Sequence, residues 1–423
     1  MLAAMTSDHS KNDQTLRVAV LITLLGQRQA GGHVLCWLRW AEAAARLPAG
    51  LLDMSIHLLG DRAGQEDLAA HVRLVRHRPV LDTRLLRRFL HMPDHTDLAP
   101  YHPGLAWALA RSRPHVIHTT DGFFSFARTA QSVARRRHIP LVNSVHTDTP
   151  AYTRLFTRTA LPGALGAWVG ERAAQGQERS LARHQAACAL AMVSREQDAQ
   201  AARAVLPPEK IAWLRLGVDR SLFNPAQRDR AGIEARYAVP PGRMVILLVG
   251  RVDEGKNVGL ILDALEPLMR QGLPIHLIAA GEGPMRASIM ARLPGHATCP
   301  GYVAPVDLAR LYASADIFVL PSAIETWSCV ATEALASGLP VLAAQGSGVA
   351  RFLSEETGEM AGINLPSDDP QAWSAALALM ATDNARRISM GQAAYRIAST
   401  ALDDWDATLQ QDLLPAWRRS AGR

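Results

Sequence analysis

Residues 244–271 read MVILLVGRVDEGKNVGLILDALEPLMRQ, an apolar run, a short polar loop and then a stretch with helical apolar spacing. The run MVILLVGR (244–251) is a strand candidate and NVGLILDALEPLMRQ (257–271) a helix. The same alternation continues through HLIAAG (276–281), DIFVLPS (316–322) and PVLAAQ (340–345). Upstream it has already occurred once, in LRVAVLIT (16–23), a helix beginning near His33, HVIHTT (115–120), PLVNSVHT (140–147) and ACALAMVS (187–194). Short apolar strands separated by helices predict buried parallel sheets with right-handed crossovers, so the expected class is α/β with two Rossmann-like domains.

The chain has 423 residues, too many for one ordinary core, with 48% hydrophobic and 20% charged residues. That balance suits a soluble globular enzyme and excludes disordered and fibrous classes. The opening MLAAMTSDHSKNDQT turns polar after its fifth residue, which predicts neither a secretory signal nor a membrane span and hence a cytoplasmic protein. Cys36, Cys188, Cys299 and Cys329 are scattered without C-x-x-C pairing, so neither a disulfide framework nor a zinc site is expected.

The expected organisation is a disordered tail over 1–15, a first domain over 16–220, a second over 221–400, and a C-terminal helix over 401–423 packing back on the first. The segment RSLFNPAQRDR, polar and without sustained apolar period, reads as the linker. The final helix spaces Trp405, Leu409, Leu413 and Trp417 on a related face, and Pro415 is expected to kink or end it.

Charge divides unevenly. Residues 1–225 hold 28 Lys and Arg against 18 Asp and Glu, and residues 226–423 hold 17 against 21, giving +10 and −4. A basic first half calls for an anionic partner, with nucleic acid, acidic lipid and phosphorylated substrate all admissible. Lysine is rare: Lys11, Lys210 and Lys256 are the full set. A lysine kept where arginine is the habit marks either a site wanting a compact charge or a chance survivor.

Arg251 stands at a strand's carboxyl end with Lys256 five positions on, just before a helix, where open α/β sheets bind ligands. Two cations beside a helix start suit a diphosphate, although a surface loop with solvated charges has the same sequence. In PSAIETWSCVATEALASGLPV, Glu333 follows Glu325 by eight positions. If the helix begins soon after Glu325, both carboxylates share one edge and suit the vicinal hydroxyls of a ribose or hexose. The N–H groups of Thr326 to Cys329 would then be open donors of the helix start.

The order of GRVDEGK, GEGP (281–284), PSAIETWSCVATEALASGLPV and G-x-G at 346–348 resembles the retaining glycosyltransferases of family four, with the GT-B fold. The resemblance implies two Rossmann-like domains facing each other across a cleft, with the C-terminal helix crossing back to the first. It implies that Arg251 and Lys256 hold the donor diphosphate, that Glu325 contacts the transferred sugar, and that Glu333 holds the nucleotide ribose. Thr326, Trp327, Ser328 and Cys329 would complete the donor site, and Gly31 and Gly32 match a glycine pair that admits the donor to the backbone. His146 matches a histidine of the first domain that faces the sugar. Where the family usually has Glu-Thr-Phe-Gly, this chain has Glu325-Thr326-Trp327-Ser328, which puts the donor's identity in doubt.

No Asp-x-Asp of the kind that binds Mn²⁺ or Mg²⁺ in other sugar transferases is read here, so no metal and no cofactor are expected, and a UDP-sugar is favoured over a GDP-sugar as substrate. SVHTDTPAYTR (144–154) resembles the lipid-glycosylating branch, the sulfoquinovosyl and phosphatidylinositol mannosyl transferases. RLLRRFLHM (84–92) and Arg135-Arg136-Arg137 suit an anionic membrane surface at the inner face of the cell membrane, and equally suit solvated helix faces. The acceptor is thus a lipid or a glycan. A nucleotide-sugar 2-epimerase shares the fold and donor motifs. A nucleic-acid-binding protein does not fit, because the basic half lacks interleaved aromatic and basic residues.

Overall fold

The computed structural model describes residues 15–25, 32–82, 96–161, 163–322, 324–326, 328–353 and 360–423. Met1 to Gln14 and the stretch 84–92 read above lie outside them. The chain divides into two units, one of Met1–Arg215 with Trp405–Arg423 and the other of Leu216–Asp404. These divisions, at 215/216 and 404/405, stand a few residues from the expected 220/221 and 400/401. Val218 N–H donates to the Asp403 carbonyl at 3.0 Å, which places both flanking segments in the second unit.

The first unit carries β1 (Leu16–Leu25), β2 (Leu52–Leu59), β3 (Gly64–Ala69), β4 (Val72–His77), β5 (Val116–Thr119), β6 (Leu141–Ser144), β7 (Leu190–Val193) and β8 (Ile211–Trp213). They form one sheet in the order β3-β4-β2-β1-β5-β6-β7-β8. All neighbours are parallel except the hairpin β3–β4, whose exposed outer strand was not anticipated. The second unit carries β9 (Met244–Val249), β10 (Ile275–Ala280), β11 (Ala297–Gly301), β12 (Ile317–Leu320), β13 (Val341–Ala344) and β14 (Gly362–Leu365), all parallel, in the order β11-β10-β9-β12-β13-β14. The α/β architecture with two Rossmann-like parallel sheets is therefore observed.

The apolar runs are continuous because each central strand buries both faces. In the second unit, Val245, Leu247, Phe318, Leu320, Val341 and Ala343 pack on one side with the helices Cys329–Ala336 and Asn384–Ala401. Met244, Ile246, Leu248, Ile317, Val319 and Leu342 pack on the other with Val258–Arg270 and Pro370–Thr382. Neighbouring residues of one strand thus serve opposite cores.

Two expectations are corrected. The segment expected as a linker is part of the second unit: Phe223 is buried with its ring 5.7 Å from that of Tyr312, and Asp229 caps the helix Arg230–Tyr237. Its apolar contribution is the adjacent pair Leu222 and Phe223, too little to register as a period. Pro415 does not end the last helix. A π turn, Leu409–Leu413, widens the chain just before it, and Pro415 falls in the first turn of Leu414–Ser420, where its missing N–H is tolerated.

Candidate functional site

In the second sheet the chain moves outward from β9 through β10 to β11, then returns to the other side of β9 at β12. Ligands of doubly wound sheets bind outside the carboxyl ends of the strands at such a reversal. The loop after β9 carries Arg251, Asp253 and Lys256. Asp253 organises it, its carboxylate accepting the Lys256 N–H at 3.1 Å and pairing with Arg251 Nε at 3.2 Å.

Asn257 follows in the left-handed conformation, φ 53°, and opens the helix Val258–Arg270. Its Nδ2 donates to the Pro321 carbonyl at 3.2 Å and to the Ser367 carbonyl at 2.8 Å, while Ser322 Oγ donates to the Gly255 carbonyl at 3.1 Å. These bonds stitch the loop after β9 to the ends of β12 and β14. Asn257→Ala is expected to cost about 2–3 kcal/mol, from two lost hydrogen bonds and the left-handed backbone. Asn257→Gly should lose less, because glycine keeps the backbone free; equal denaturation midpoints for the two variants would refute the backbone share.

The loop after β10 packs directly on this one. A Cβ on Gly281, φ 151°, would stand 1.7 Å from the Gly250 carbonyl oxygen, and one on Gly283 would stand 2.1 Å from that of Val252. The glycines of GEGP are therefore required by backbone contact. Val252 N–H donates to the Glu282 carbonyl at 2.9 Å across the same junction.

The loop after β12 brings Glu325 to Lys256, whose ammonium pairs with Glu325 Oε1. Glu325 is 8% exposed, so the pair keeps a buried carboxylate compensated. The helix does not begin soon after Glu325. It spans Cys329–Ala336, with Ser328 as its capping residue and the Ser328 side chain making no cap bond. Glu325 and Thr326 lie in the loop before it, and Glu325 and Glu333 do not lie on one helix edge. Ser328 Oγ is buried without a hydrogen-bond partner among the described residues, and Cys329 is partly buried. Glu333, partly exposed, lies against Tyr312, whose phenol is held well above its usual range by burial and by that carboxylate. Gly31 and Trp327 lie outside the described residues, and Gly32 is the first residue of the helix Gly32–Ala45.

In the first unit the equivalent reversal falls between β1 and β5. Asp121, just past β5, accepts from Thr23 Oγ1 of β1 at 2.8 Å and from the Phe123 and Phe124 amides at 3.1 and 3.0 Å. Burial holds its carboxyl above the usual range against the pull of these donors. Sequence reasoning missed Asp121; an Asp-Gly directly after a short apolar strand was the available signal. His146 follows β6, stacked on His33 with ring centroids 4.9 Å apart and flanked edge-on by Trp37 and Trp40. Burial, then the His33 and His118 rings, lower its pKa well below the ordinary value. Asp148 caps the helix Thr149–Ala160 and pairs with Arg195 at 3.2 Å.

Asp404 and Asp406 do have Asp-x-Asp spacing, but Asp406 is tied to Arg46 at 2.7 Å, and among the described residues no three His, Cys, Asp or Glu group to hold a metal ion. A cavity of about 690 Å³ lined by Arg236, Tyr237, His276, Arg286, Thr298 and Cys299 opens at the amino ends of β10 and β11, away from the strand ends that carry Arg251 and Lys256.

Residues 229–397 match the family model described as Glycosyl transferases group 1. They form a group 1 glycosyl transferase domain. This domain contains Arg251, Lys256, Glu325 and Glu333. The chain is 27% identical over 310 residues to sulfoquinovosyl transferase SQD2 of Arabidopsis thaliana, covering 72% of this chain and 57% of that protein. It is 29% identical over 304 residues to a D-inositol 3-phosphate glycosyltransferase of Kineococcus radiotolerans, covering 66% of each. The chain thus spans 57% and 66% of the length of these two curated relatives. Among solved structures, sucrose-phosphate synthase from Thermosynechococcus elongatus superposes with a TM-score of 0.71 at 19% identity, covering 96% of this chain and 100% of that one. Anabaena HepE in complex with UDP gives 0.66 at 15%, covering 94% and 98%. The fold around the group 1 domain is that of GT-B glycosyltransferases.

Proposed function

We propose that the chain is a retaining, metal-independent glycosyltransferase that moves a hexose-type sugar from a nucleoside diphosphate sugar to an acceptor hydroxyl. The observation that carries this reading is the convergence of Arg251, Lys256 and Glu325 at the carboxyl ends of β9 and β12, beside the strand-order reversal. Breaking the anomeric bond leaves charge on the diphosphate, and the largest catalytic contribution is its electrostatic stabilisation. Arg251, Lys256 and the first N–H groups of the helix Cys329–Ala336 supply it. Glu325 accepts from sugar hydroxyls, Glu333 from the ribose, and Thr326 and Ser328 line the donor. His146 is assigned to the sugar by the family resemblance, and attack from the leaving-group face gives retention. UDP is favoured as the nucleotide, a choice supported by the UDP held by HepE.

The acceptor is proposed to be a lipid at an anionic membrane surface, met by the first unit. Supporting this are the +10 charge of residues 1–225 and exposed aromatic residues capped by arginine: Arg111 lies over Trp107 at 5.4 Å and Arg172 over Trp168 at 5.5 Å. No described helix is long and apolar enough to cross a membrane, and the binding proposed is peripheral.

One experiment tests both halves. The protein is screened with UDP-, GDP- and ADP-sugars by thermal shift, then nucleotide release is followed with and without vesicles containing acidic lipid. A UDP-sugar is expected to stabilise the protein, by about 2.7 kcal/mol at a hundred times its Kd, and release is expected to require the vesicles. Stabilisation by none of the sugars would refute the donor reading. Release with a soluble acceptor and none with vesicles would refute the lipid.

A further inference from the structure

Four side chains of the first unit form a hydrogen-bonded line that ends on His146. Trp417 Nε1 lies 2.9 Å from His118 Nδ1, His118 Nε2 lies 2.8 Å from Ser144 Oγ, and Ser144 Oγ lies 2.7 Å from His146 Nε2. Trp417 and His118 are fully buried, and Ser144 nearly so.

The direction of the line is set at its far end. An indole nitrogen only donates, so His118 Nδ1 must accept. Burial brings His118 down to about 3, so its ring is neutral and carries its one proton on Nε2. His118 Nε2 therefore donates to Ser144 Oγ. The Ser144 hydroxyl is left with its own proton to place, and among the described residues its side chain meets only the two imidazoles. His118 Nε2 already carries a proton, which leaves His146 Nε2 as the acceptor. The reverse arrangement would bury an O–H with no acceptor.

We propose that Trp417, His118 and Ser144 are positioning residues that fix His146 in the Nδ1–H tautomer, with its Nε2 lone pair occupied. The ring plane is held as well, by the His33 stack and the edges of Trp37 and Trp40. An oxygen that meets His146 at Nδ1 meets a hydrogen-bond donor, and the ring cannot serve as a general base through Nε2. The C-terminal segment Trp405–Arg423 enters the site through this line, since the residue that sets its direction is Trp417. The consequence for a bound sugar rests on the proposed glycosyl transfer; the tautomer does not.

The test uses the full chain labelled with ¹⁵N-histidine, without ligand, and long-range ¹H–¹⁵N correlation, which separates protonated from lone-pair ring nitrogens. His118→Gln and His146→Gln assign the two rings by loss of their signals. The expected result is Nε2–H at His118 and Nδ1–H at His146 in the wild type, loss of the single-tautomer pattern at His146 in Ser144→Ala, and its return in Ser144→Thr. Nε2–H at His146 in the wild type would overturn the proposal even if the variants failed to fold, as would an unchanged His146 in Ser144→Ala. Turnover of Ser144→Ala is expected to fall about 3- to 10-fold, the loss of one hydrogen bond, with donor KM unchanged. The spectra do not depend on the reaction, so a failure of the glycosyl-transfer reading would be seen separately, as absent turnover with the expected tautomers.

Discussion

Lys256→Ala is expected to lower turnover by a hundredfold or more with the fold intact. Removing one preorganised charge aimed at a developing anion typically costs about 2.7–4 kcal/mol of activation free energy, and each 1.36 kcal/mol or so is tenfold in rate. The ammonium has a second role here, because it compensates the buried Glu325 carboxylate. The single variant therefore leaves that carboxylate without its cation, at a cost of about 1–3 kcal/mol in stability. Lys256→Ala combined with Glu325→Gln separates the two roles. The double variant should regain the lost melting temperature, since no uncompensated charge is left buried, and should remain inactive. Steady-state nucleotide release and a thermal melt on the wild type, Lys256→Ala and the double variant decide the matter. Recovery of turnover in the double variant would make Lys256 a structural residue. Lys256→Arg is expected to recover only part of the rate, because a planar fork does not reproduce a compact ammonium against Glu325.

What the sequence disclosed follows the range of the interactions involved. Strands and helices were legible because burial on both faces of a sheet writes continuous apolar runs locally, as in residues 244–249 and 317–320. Arg251 and Lys256 were legible because a strand, a loop and a helix lie within 28 consecutive residues. The start of the helix at Cys329 was not, since residues 325–328 carry no capping box and Glu325 is held in the loop by Lys256, 69 positions away. The linker assignment failed for a related reason: Phe223 finds its partner Tyr312 only in three dimensions. The line to His146 was least accessible of all. His118 and Ser144 carry no signal in their own neighbourhoods, Trp417 reads only as one apolar residue on a helix face, and it meets His118 across 299 positions. Asn257 lies between these cases, its left-handed backbone being compatible with the local sequence while its two carbonyl partners are remote.

Acidification from pH 6.5 to 5.5 is expected to destabilise the first unit well before the second. His57, His77, His118 and His184 are all buried in the first unit. Burial lowers His118 to about 3 and His77 and His184 to about 4, and it lowers His57 well below its ordinary range with help from the neighbouring His77 and Arg73. Among the described residues of the second unit, His276, at about 4, is the histidine lowered in this way. Above pH 6.5 these rings are neutral in both the folded and unfolded chain, and the stability associated with them is fully present. Below it the unfolded chain takes up protons that the folded chain refuses until about pH 4 or lower, so stability falls across that window. His33, His115 and His146 of the first unit are lowered as well, so seven rings stand against one, and at about 1 kcal/mol each between pH 6.5 and 5.5 the loss is about 7 kcal/mol for the first unit and about 1 for the second. Hydrogen exchange read by mass spectrometry at the two pH values, corrected for intrinsic rates, resolves the units. Protection should drop along β2, β5 and β6 while β9, β10 and β12 hold. His184→Gln should remove about a seventh of the first unit's loss, because an uncharged amide has no proton to gain. Equal loss in both units would show that these histidines do not govern acid stability, and would place the weakness in groups the two sheets share.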